Sequence, residues 1–160
     1  KEHIERLKRE FRSLIPEEFI LSIAFNPACE LLNTPAGIDV KIFKAEYGQK
    51  RKLIKEAHNL DPKSPDLIEI LQIINWNTDI LNKIETLLQK ANCFSIENGE
   101  FTTIGFAKNG FTTYAYKLAE SRIRPEEQKK FTNGCDLFFY KEHVILEAIG
   151  GAGANPCFND

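Results

Sequence analysis

The feature that most constrains this chain is a change of periodicity near Cys93. Before it, apolar residues recur at helical spacing; after it, Thr, Phe, Tyr and Asn-Gly pairs take over and the period drops towards two. Such a chain reads as α+β. N-terminal helices over residues 1–91 are expected to pack on one face of a C-terminal five-stranded antiparallel meander over residues 93–149, with 150–160 as a tail. The length suits a single domain over 1–160.

In the first part, Ile4, Leu7, Phe11 and Leu14 place a helix over residues 1–13. Pro16-Glu17-Glu18 resembles a second helix start, with Pro in the first turn and acids at the positive end of the dipole. Phe19, Ile20, Ile23 and Ala24 would then face inward. Residues 39–47 are read as helix, with strand as the alternative. Residues 49–59 are also read as helix, with Leu53, Ile54 and Ala57 inward. Ser64-Pro65-Asp66 supplies an N-cap, a Pro and an early acid for a further helix. Its stripe of Leu67, Ile70, Leu71, Ile74, Leu81, Ile84 and Leu88 runs to about Lys90. Asn75-Trp76-Asn77-Thr78-Asp79 interrupts it, as a polar patch on one long helix or as a joint between two.

The strand segments are 93–97, 100–108, 111–119, 135–140 and 143–149. Asn98-Gly99 and Asn109-Gly110 are hairpin signals, because glycine tolerates positive φ. A three-residue loop from Lys108 to Gly110 sets Phe106 opposite Thr112 and Ile104 opposite Tyr114. It gathers Ile104, Phe106, Tyr114, Tyr116 and Leu118 on one face. The last hairpin is expected to turn at Lys141-Glu142. Leu137, Phe139, Val144, Leu146 and Ala148 would share one face, and Phe138, Tyr140, His143 and Ile145 the other.

The formal charge of −2 gives counterion release from nucleic acid little to draw on, and offers an anionic membrane no attraction. No apolar run approaches the ~20 residues that span a bilayer, so no membrane insertion is expected. The chain opens on Lys1 and has no Met, which leaves a removed leader and a trimmed chain as alternatives. Cytoplasmic and exported locations are weighed equally. Cys29, Cys93, Cys135 and Cys157 form no CxxC and match no common zinc spacing. In an oxidising compartment the pairing would be Cys29 with Cys157 and Cys93 with Cys135. Four reduced thiols are the competing state.

Signals for chemistry are sparse. The expected last turn sets Asp136 opposite Glu147, a carboxylate pair that could share a proton or hold a cation. The plainer account is a different register with both groups solvated. Cys135 with His143 as base is a conceivable nucleophilic pair, but a general base needs a positioned partner and none is evident. The Gly150-Gly151-Ala152-Gly153-Ala154 run opens no helix, so it is no phosphate loop. No cofactor or metal site is expected. Trp76 is a candidate interface anchor, against a buried position at the helix joint. Tyr114, Tyr116, Tyr140 and His143 are the candidate residues of a binding sheet face.

The leading expectation is a non-enzymatic binding protein with another protein as partner, of the bacterial inhibitor or immunity type. The alternatives are a small hydrolase-like enzyme with its site near 135–149, and an exported, disulfide-stapled envelope protein.

Overall fold

The computed structural model describes residues 2–28, 33, 35–45, 51–132 and 134–150. The chain divides into two compact units, Lys1–Asn98 and Gly99–Asp160. The described residues form four α-helices and eight strands, all strand pairs within each unit being antiparallel. The α+β class therefore holds, but the expected five-stranded meander does not.

The first unit contains α1 (Glu2–Leu14), β1 (Phe19–Asn26), β2 (Gly37–Ala45), β3 (Arg51–Leu60), α2 (Pro65–Gln72), α3 (Thr78–Lys90) and β4 (Ser95–Glu97). Its strands lie in the order β3-β2-β1-β4. Three stretches read as helix are thus strands. After Pro16, a turn closes when the Phe19 N–H donates to the Pro16 carbonyl at 2.9 Å. The sequence Phe19–Asn26 then alternates, sending Leu21 and Ile23 to the core. Leu21 stands opposite Ile42 and Ile23 opposite Val40 and Ile96, so one sheet face is a continuous aliphatic layer.

Residues 51–60 are rich in helix formers, yet they pair with β2 along their length. Leu53 and Ile54, expected inward, are 48 % and 41 % exposed. Local propensity loses here to tertiary pairing, as is usual for a strand stabilised by its neighbours. Two irregularities bend this pairing, one of them opposite Asp39. There Asn59 adopts φ 51°, its N–H donating to Asp39 Oδ1 at 2.7 Å. Asn26 Nδ2 donates to the other oxygen at 2.9 Å.

The interruption at residues 75–79 is a joint between two helices. Asn77 caps α3, its side chain accepting from the Ile80 N–H, and Ser64 caps α2 by accepting from Leu67. Trp76 is 3 % exposed and belongs to the core. Its Nε1 donates to the Leu14 carbonyl at 2.8 Å, and the Phe11 ring meets it edge-on at 6.0 Å. α1 lies against α3, and Lys83 reaches Glu10 at 2.8 Å.

β4 is short, but a side chain extends its ladder. The Asn98 N–H donates to the Leu21 carbonyl at 3.3 Å. Asn98 Oδ1 accepts from the Leu21 N–H at 2.7 Å, and Nδ2 donates to the Phe19 carbonyl at 3.2 Å. The amide thus takes the place of the next peptide group.

The second unit contains β5 (Thr102–Asn109), β6 (Thr112–Leu118), α4 (Pro125–Gln128), a 3-10 turn (Lys129–Phe131), β7 (Leu137–Lys141) and β8 (Val144–Gly150). Its order is β5-β6-β8-β7, so the last hairpin joins the sheet through β8. The β5–β6 turn falls at Gly110-Phe111, because Asn109 pairs with Thr112. Gly110 holds φ 59°, as the first central residue of a two-residue hairpin loop can require. An irregularity at Phe106 restores Ile104 opposite Tyr116. This is two residues from the expected register, so the expected faces survive.

The β7–β8 turn falls at Glu142-His143, with Lys141 opposite Val144 and Leu137 opposite Glu147. That is a one-residue slip from the expected pairing, and it exchanges the faces of β7 relative to β8. Phe138 joins Leu146, while Phe139 joins Ile145.

Candidate binding face

The second unit's sheet brings aromatic side chains to one face. Reading across the strands, Ile104, Tyr116, Leu146 and Phe138 form one row. Tyr114 stands in the next row between Ala107 and Ala148. The irregularity at Phe106 turns its ring onto Tyr116, with centroids 4.5 Å apart and planes tilted by 32°. Ile104 is fully buried in this layer. Towards the β7 side the face opens: Phe138 and Tyr140 are each 53 % exposed. Lys141 Nζ lies 4.8 Å over the Tyr140 ring, a cation–π contact that holds the phenol in place. His143, at the turn, is partly buried, with Nδ1 4.0 Å from the Glu142 carboxylate.

The opposite face is built differently. Ala115 and Ile145 are buried there. Lys117 Nζ pairs with Glu147 at 3.0 Å and lies 5.4 Å over the Phe101 ring. Phe101 meets Phe131 edge-on at 6.2 Å. Phenylalanine and charge alternate on this side, whereas aromatic residues dominate the first.

The structure sorts the sequence candidates accordingly. Tyr114, Tyr116 and Tyr140 fall within one sheet, and His143 lies at its edge. Trp76 belongs to the first unit's core, which corrects its reading as an exposed anchor: its indole N–H is satisfied by the Leu14 carbonyl. The carboxylate pair is also corrected. Glu147 stands opposite Leu137, while the Asp136 carbonyl accepts from the Ala148 N–H at 2.8 Å. Asp136 and Glu147 therefore point to opposite faces, and Glu147 is neutralised by Lys117. Cys135 and His143 lie at opposite ends of β7, roughly 15–20 Å apart at about 3.3 Å per strand residue. That distance removes the Cys-His dyad.

Cys93 is a free thiol and buried, so the expected Cys93–Cys135 bridge is corrected as well. Burial pushes its pKa up to about 11, the wrong direction for a nucleophile. Cys135 is disulfide-bonded, and its partner falls outside the described residues. The expected pairing of Cys29 with Cys157 also falls there.

Phe106 and Phe138 were absent from the sequence candidates for this face. The alternation of Phe138 and Tyr140 was a visible signal, but the slipped turn assigned them to the other side.

One further polar network lies in the first unit. Lys41 Nζ and His58 Nε2 converge on Glu56 Oε1 at 2.7 and 2.9 Å, and His58 Nδ1 lies 3.8 Å from Asp39 Oδ1. The Lys41 and His58 contacts hold the Glu56 pKa below its usual range. Both imidazole nitrogens face carboxylates, and the ring is largely exposed; the network ties β2 to β3. Among the described residues no group of three or more His, Cys, Asp or Glu side chains is arranged to hold a metal ion. No helix among them is long and apolar enough to cross a membrane.

No protein-family model, curated protein or solved structure matches the chain.

Proposed function

We propose that this chain is a non-enzymatic binding protein, of the bacterial inhibitor or immunity type. It engages another protein through the aromatic face of the second unit. One observation carries the reading: Phe138 and Tyr140 stay half-exposed on one strand, continuous with the Phe106–Tyr116 stack. Aromatic residues are enriched at interface cores because they bury large area at small rotamer cost. The cation over Tyr140 fixes that ring before a partner arrives, which lowers the entropy lost on docking.

The test compares the full chain with a Phe138→Ser/Tyr140→Ser variant as bait in quantitative co-purification. A partner held by the parent chain and lost by the variant, at unchanged melting temperature, supports the proposal. Retention of the same partner by both chains refutes it.

A further inference from the structure

A cavity of about 500 Å³ lies between the β5 entry and the segment joining β6 to α4. It belongs to the second unit and shares no residue with the aromatic face. Its size is that of a small-molecule site. Phe101 and Phe131 supply aromatic surface, and buried Ile123 adds an aliphatic one.

The cavity is fixed before any ligand arrives. The Ala119 N–H donates to the His143 carbonyl, and the Ile123 N–H to the Glu142 carbonyl, each at 2.9 Å. Gln128 Nε2 donates to the Ile123 carbonyl at 3.1 Å. The segment is therefore pinned at both ends, and little ordering entropy remains to be lost on binding.

The charges at the rim are of both signs. Arg122, Lys130, Glu100, Glu120 and Glu127 all line the opening. Arg124 holds Glu127 at 2.9 Å, and Glu120 is also engaged. Glu100 is an exposed acid, and Arg122 and Lys130 are exposed cations. An apolar body between two opposite charges matches this set. A purely anionic ligand would meet carboxylates, and a purely cationic one would meet Arg122.

We propose that this cavity binds a small zwitterion with an apolar ring, of the chemical class of a free aromatic amino acid. The carboxylate goes to Arg122, whose planar fork suits it, with Lys130 adding charge. The ammonium goes to Glu100. The ring lies against Phe101 and Phe131 in offset or edge contact.

The test titrates the full chain with L-tryptophan, N-acetyl-L-tryptophan and L-tryptophan amide, read by amide nuclear magnetic resonance shifts. L-tryptophan is expected to shift Ser121, Arg122 and Ile123, and to bind about fivefold tighter than either capped analogue. Arg122→Gln should weaken L-tryptophan and the N-acetyl form but spare the amide. Glu100→Gln should weaken L-tryptophan and the amide but spare the N-acetyl form. Phe138→Ser/Tyr140→Ser should leave all three titrations unchanged, which separates this site from the protein-binding face. The proposal is overturned if no shift occurs at about 10 mM ligand, where even a millimolar site would fill. It is also overturned if the three ligands bind alike, or if the two charge variants weaken all three equally.

Discussion

Replacing Gly37 with alanine should destabilise the first unit by more than a surface change can. Gly37 opens β2 opposite Asn26, where the end of β3 crosses close by. A Cβ at this position would collide with Asn59 Oδ1, and would stand 2.9 Å from its Cγ and 3.0 Å from its Cα. The amide could rotate away. The Cα cannot, because Asn59 sits at φ 51° with its N–H bonded to Asp39. The strand end must therefore shift, loosening a hydrogen bond to a carboxylate. Overpacking of this kind together with the weakened bond gives about 2–3 kcal/mol. Trp76 is the only tryptophan and lies in this unit, so its fluorescence reports the unit's unfolding. In urea the midpoint should fall by roughly 1 M. Asn59→Gly added to Gly37→Ala removes the colliding amide and suits the positive φ, so it should recover about half of the loss or more. A change below about 0.5 kcal/mol for the single variant would refute the reasoning. A double variant no more stable than the single one would do the same.

Three other outcomes can be checked directly. Hydrogen bonds from Lys83 and then Arg6 lower the Glu10 pKa from 4.5 to about 2. A carboxyl depressed on folding stabilises the protein above its unfolded pKa and loses that contribution as pH falls through the folded value. Glu10→Gln should therefore be less stable than the parent at pH 6, with the gap closing between pH 4.5 and about 2 in melting experiments. Buried Cys93, with its pKa near 11, should resist iodoacetamide at pH 8 in the folded chain and react in urea, as peptide mass spectrometry would show. Equal rates in both conditions would contradict its burial. Trp76→Phe keeps a ring against Phe11 but leaves the Leu14 carbonyl without its indole donor, so circular dichroism should show a loss of about 1–2 kcal/mol.

The helix and strand signals were legible where local chemistry and packing agree. The caps at Ser64 and Asn77 and the stripe from Leu67 to Leu88 set α2 and α3 where their side chains specify. All five aromatic segments of the second half are strands, though the first of them, as β4, pairs with β1. The stretches at residues 19–26, 37–45 and 51–60 misled because their strand character depends on partners far along the chain. Leu53 and Ile54 look like a helical stripe, and only pairing with β2 leaves them outside. Turn positions were the other weak point. Gly110 was correctly read as the residue that permits positive φ, yet it serves as the first central residue and not the second. Glu142 adopts φ 47° without being glycine, so nothing in its type announced the last turn. That single residue of slip dissolved the Asp136–Glu147 pair and moved Phe138 to the aromatic face. Tyr114 and Tyr116 were legible as companions because parity along one strand survives any shift.

The Asn98 amide has a chemical consequence. An asparagine followed by glycine ages readily: the glycine nitrogen attacks the side-chain carbonyl carbon, a cyclic imide forms and ammonia leaves. Here both ends of that amide are clamped, the oxygen by the Leu21 N–H and the nitrogen by the Phe19 carbonyl. Rotation towards the Gly99 nitrogen would break both bonds. The same contacts that lengthen a three-residue strand thus act as a preservative at the junction of the two units, sparing the folded chain a lesion that its unfolded form would accumulate.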